Sequence, residues 1–159
     1  MTALPAFALL LHLLCAVFWI GGMATLHTIV RPAVAAELRE PLPRLRLMHR
    51  VVGDFVRAAG WAVLGLWLSG IALVHLTGGW AMQPKGVHAM AGLALLMTAV
   101  YGEIRWRGLP RLQRAIQQAL QDAQAPTAAQ ALATVRGRVL LNLGLGVLVC
   151  ACAVARGLI

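Results

Sequence analysis

The chain has 159 residues, of which 60% are hydrophobic and 12% charged, with a net charge of +9. A soluble domain carries about 25% charged residues, so this composition excludes an ordinary water-soluble globule. The positive charge does not point to nucleic acid, because the arginines cluster in two connecting segments instead of forming a stripe.

Four segments are free of formal charge: Met1–Val30, Ala58–Pro84, Gly86–Gly102 and Val139–Ala155. A membrane span needs about 20 apolar residues, fewer where flanking side chains snorkel. The chain therefore reads as one all-α transmembrane domain over residues 1–159. Its spans are expected near residues 4–29, 54–77, 86–105 and 138–157. Short connections favour an up-down-up-down four-helix bundle, in which helices satisfy their own backbone hydrogen bonds within lipid. The first span is too long, and lacks the basic start, of a cleaved signal peptide.

The first span is expected to end near Arg31-Pro32, since proline disfavours helical backbone before it. Pro41 and Pro43 break the next connection, and Arg44–Arg57 is expected to begin a helix before it enters the membrane. Thr77–Pro84 joins the second and third spans, with Trp80 suited to an interface. Leu112, Ile116 and Leu120 recur every four residues and predict an amphipathic helix near residues 109–125, lying on the cytoplasmic membrane surface. Ala125-Pro126 should break it, and Thr127 is placed to cap a second short helix.

Arg31, Arg39, Arg44, Arg46, Arg50 and Arg57 lie between or beside the first two spans, and Arg105, Arg107, Arg111, Arg114, Arg136 and Arg138 between the last two. The positive-inside pattern puts both clusters in the cytoplasm and both termini outside. Anionic lipid headgroups are their expected partners. Glycines within the spans predict close helix packing, or room for a flat cofactor.

This orientation gives each polar side chain a depth. His12, Cys15, His75, His88, Cys150 and Cys152 fall in the outer half, and His27 and His49 at the inner boundary. Three cysteines, all within spans, do not form a disulfide framework. His27 and His49 suit interfacial hydrogen bonding; a second site between them is the alternative. A polar ring within a bundle should face its interior and find a partner. For His12 the expected partner is His88, with a hydrogen bond to a backbone group as the alternative that would only fix helix packing. Such a pair either fixes helix packing or holds a transition metal, with Cys15, one turn from His12, and His75 as further ligands. Asp54 and Arg57 are spaced for an intrahelical pair, and Glu103 for a pair with Arg105 or Arg107. Ser69, the only serine, has no histidine near it in sequence, and no hydrolase motif or phosphate-binding loop is present.

His12, followed by Trp19-Ile20-Gly21-Gly22 and Ile29-Val30-Arg31-Pro32-Ala33, resembles the first span of the copper resistance protein D (CopD) family. Phe55-Val56-Arg57, Leu68-Ser69-Gly70 and the span from Val87 to Gly102 continue the likeness, which covers most of residues 8–108. It implies non-enzymatic copper handling in the bacterial cytoplasmic membrane, by transport or resistance, with a periplasmic metal donor. His12 carries over most directly. The spacing of His12 and Trp19 is also similar to HemJ-type proteins, which implies the alternative of a bis-His haem b, a redox partner and an oxidoreductase. That family tends to have a lysine at the start of the third span, where Lys85 and His88 stand here.

Overall fold

The computed structural model describes residues 3–122 and 125–155, and among them there is no β-strand. Helix α1 (Ala3–Thr25) runs through a π turn (Leu26–Val30) into α2 (Arg31–Glu37). Helix α3 spans Pro41–Leu76, and a 3-10 turn (Trp80–Met82) leads to α4 (Lys85–Glu103). A second π turn (Ile104–Gly108) carries α4 into α5 (Leu109–Asp122), and α6 (Ala125–Ala155) completes the chain. Four helices are long and apolar enough to cross a membrane, as the charge-free segments predict.

The helices overrun the expected spans at the arginine-rich end. The first does not stop at Arg31-Pro32. Proline lacks the N–H that an α-helix needs and crowds the carbonyl four residues back. The π turn relieves both demands, with the Arg31 N–H reaching five residues back to the Leu26 carbonyl. The third helix repeats the device before Leu109-Pro110, where the Leu109 N–H bonds to the Ile104 carbonyl. The second helix begins at Pro41, with proline at a first-turn position where its missing N–H costs nothing. Thr127 caps no separate helix, since α6 runs unbroken through it. Residues 123–124 and 156–157 of the expected helices lie outside the described residues.

Leu109–Asp122 is strongly amphipathic, and much of its apolar stripe meets protein, while Leu120 remains exposed. Leu112, Ala115, Ile116 and Ala119 are buried against Leu45 of α3 and Ala128 of α6, with Leu42, Ala131 and Leu132 around them. The prolongations of α3 and α6 thus cover Leu112 and Ile116, two of the three stripe residues expected on a lipid surface.

In the long core, α1 packs closely on α3, and α4 on α6. Glycines receive neighbouring side chains: Gly22 faces Phe55, Gly60 the Tyr101 hydroxyl, Gly65 Cys15, Gly70 His12 and Gly146 Ile20. Large polar-tipped side chains bridge α3 and α4. Trp67 Nε1 donates to Thr98 Oγ1 at 3.0 Å, and the Tyr101 hydroxyl donates to the Val56 carbonyl at 3.1 Å. Trp19 meets the Tyr101 ring edge-on, with centroids 6.3 Å apart. The Asp54–Arg57 pair is present. Glu103 pairs with Arg138 of α6, not with Arg105 or Arg107, and so ties α4 to α6.

Candidate functional site

His12 lies on the face of α1 that meets α3. Its Nδ1 is 3.1 Å from both the Leu66 carbonyl oxygen and Ser69 Oγ. A carbonyl only accepts, so Nδ1 carries the proton. The Ser69 hydroxyl donates to the Gly65 carbonyl at 2.6 Å, which leaves its oxygen free to accept from the same N–H. In the neutral ring this tautomer leaves the lone pair on Nε2.

The sequence of α3 makes this niche. A Cβ on Gly70 would lie 3.2 Å from His12 Cε1, so the missing side chain gives the ring its approach to the Leu66 carbonyl. One turn away, a Cβ on Gly65 would sit 2.7 Å from Cys15 Sγ. Gly65, Ser69 and Gly70 thus seat the imidazole and the thiol together, and Cys15 is a free thiol.

The other expected ligands have their own settings. His88 is exposed in the first turn of α4, where Nδ1 donates to the Pro84 carbonyl at 3.3 Å. Its ring lies against Trp80, with centroids 5.7 Å apart. His75 is exposed in the last turn of α3, Cys150 is exposed and Cys152 half-buried near the end of α6. The turn joining α3 to α4 holds Gly78 and Gly79 at φ of +99° and +80°, and Gln83 Nε2 clips it by donating to Thr77 Oγ1 at 2.9 Å. Among the described residues no group of three or more His, Cys, Asp or Glu side chains is arranged to hold a metal ion. The polar partners of the His12 ring are on α3, and those of His88 in its own turn.

The family model of CopD, copper resistance protein D, matches residues 49–156. The chain belongs to the CopD family. It is a membrane protein of the copper-resistance class, with four helices long and apolar enough to span. The matched region takes in most of α3 and all of α4, α5 and α6, and holds His75 and His88; it begins after α1, so His12 and Cys15 precede it. This CopD chain matches no curated protein and no solved structure. The family match concerns copper and does not extend to haem b.

Sequence reasoning noted Ser69 but gave it no partner, because its histidine lies 57 positions away in the chain. A lone serine flanked by Gly65 and Gly70 in an apolar helix was the available signal. Asn142 was also missed. It is completely buried in α6, and neither side-chain polar atom has a hydrogen-bond partner.

Proposed function

We propose that this CopD protein handles copper in the bacterial cytoplasmic membrane, taking the ion at the end of the bundle where His12, Cys15, His75 and His88 lie. The family match is the observation that carries the copper assignment. His12 is the central ligand of this reading. A metal-binding imidazole generally donates its second N–H to a carbonyl or similar acceptor, which fixes the tautomer and raises the basicity of the coordinating nitrogen. The Leu66 carbonyl and Ser69 do this for His12. The adjacent Cys15 sulfur adds a soft donor, and imidazole with sulfur suits Cu(I). His88 and His75 would receive or pass on the ion nearer the aqueous edge. A cargo ion needs binding loose enough to be released, and a small mixed donor set provides that.

The charge distribution supports the orientation. The arginine clusters take the cytoplasmic side in an up-down-up-down bundle, which leaves both termini and the histidine-bearing end in the periplasm. A periplasmic metal donor is the partner this geometry would use.

The test is equilibrium dialysis of the purified protein against Cu(I) in mild detergent, alongside His12→Ala and His88→Ala. Wild type should retain copper and His12→Ala should lose most of it. If neither wild type nor variant retains copper, the reading fails.

A further inference from the structure

The arginine-rich end holds a partly open cavity of about 260 Å³ between the π turn with α2 after it, the start of α3 and the first half of α6. Arg31, Arg44 and Arg136, one from each of these regions, line it together with His27. No carboxylate is among the lining residues. The ion pairs of the described residues, Arg57 with Asp54 and Arg138 with Glu103, leave all three arginines without an acidic partner. The deeper wall is apolar and includes Val52 and Val139. Val52 lies eight residues beyond Arg44 on the same helix, about 12 Å further along at 1.5 Å per residue.

We propose that this cavity is a specific binding site for one anionic phospholipid, with the phosphate held by Arg31, Arg44 and Arg136 and the start of an acyl chain on the apolar wall. Guanidinium forks match phosphate oxygens, and three of them around one cavity whose lining holds no carboxylate favour an anionic occupant. A free phosphate has no use for the apolar wall. An amphiphile fills both poles, and the cavity sits where the charged and apolar parts of the helices meet. The π turn contributes directly, since His27 within it and Arg31 just after it both reach the cavity.

The experiment is native mass spectrometry of the full chain in detergent, titrated with phosphatidylglycerol or with phosphatidylcholine of the same acyl chains. One phosphatidylglycerol should be retained at a concentration about tenfold or more below that needed for phosphatidylcholine. The variant R31Q/R44Q/R136Q should weaken phosphatidylglycerol binding about tenfold or more, while R39Q/R46Q/R50Q, an equal loss of charge at positions that do not line the cavity, should change it less than about twofold. Equal weakening in both overturns the proposal in favour of diffuse attraction. Displacement of the lipid by inorganic phosphate at about 10 mM, with phosphate itself retained, also overturns it, since charge alone would then suffice. Ala133→Phe keeps every charge and fills the cavity, so it covers the case in which the triple variant does not fold. It should abolish the retained lipid, and undiminished binding there refutes the site.

Discussion

His12 Nδ1 and Ser69 Oγ lie 3.1 Å apart, and this contact joins the only serine of the chain to the half-buried histidine of its first helix. It adds a second acceptor to the Leu66 carbonyl, which fixes the proton on Nδ1 and leaves Nε2 as the nitrogen that the proposed copper site would use. Ser69→Ala leaves the Leu66 carbonyl in place, so the ring keeps one acceptor. The expected cost is about 0.5–1.5 kcal/mol of stability, with copper retention weakened but not lost. His12→Ala should remove retention. Thermal unfolding and copper content of the two purified variants separate these effects.

Cys15 and Gly65 form a second contact that a double-mutant cycle can isolate. Gly65→Ala puts a methyl group 2.7 Å from the sulfur and should destabilise the α1–α3 contact by about 1–3 kcal/mol. In a Cys15→Ala background the sulfur is gone, and most of that loss should disappear. Additive losses would mean that the glycine serves some other neighbour.

Leu112 distinguishes a protein-covered α5 from one that lies on lipid. Its side chain is 0% exposed against α3 and α6. Leu112→Ala should cost about 2–5 kcal/mol, read as a lowered unfolding temperature in detergent. A helix resting on lipid would leave that temperature unchanged.

Asn142 is a buried amide without partners, and such a group costs about 1–3 kcal/mol. Asn142→Leu, of similar volume, should raise the unfolding temperature. If stability rises while copper retention stays at the wild-type level, the amide has no part in holding the ion.

Glu103 and Arg138, both about 70% covered, link α4 to α6 at the arginine-rich end. Glu103→Gln should cost roughly 1–3 kcal/mol, less than a fully buried pair because water still screens it. Exchanging the two residues should recover part of the loss in the same melting assay.

Much of the architecture was legible in the sequence because the bilayer imposes one strong rule, a long run without charge, and the four runs mark four helices. Helix ends were less legible. Pro32 and Pro110 are ordinarily terminators, and only the backbone reveals that π turns carry the helices past them. The amphipathic period of Leu112, Ile116 and Leu120 was plain, but periodicity does not say whether lipid or protein covers the stripe. His12 was singled out correctly as a ring needing a partner. His88 was the favoured partner and a backbone group the alternative; the Leu66 carbonyl, opened by Gly70, is such a backbone partner, and the Ser69 hydroxyl joins it. Contacts between residues more than fifty positions apart leave no periodic signature.

The buried seam between α5, α3 and α6 also affects how the protein sits in membranes of unequal thickness. At 1.5 Å per residue the 31 residues of α6 reach about 46 Å, well beyond a hydrocarbon core of about 30 Å. A lone helix of that length could slide vertically to suit its host bilayer. Here the excess is clasped by neighbouring helices, so a piston-like shift of one helix would tear Leu112 and Ala128 from their packing. The bundle must answer a thinner or thicker bilayer by leaning as a unit, or by deforming the lipid around it.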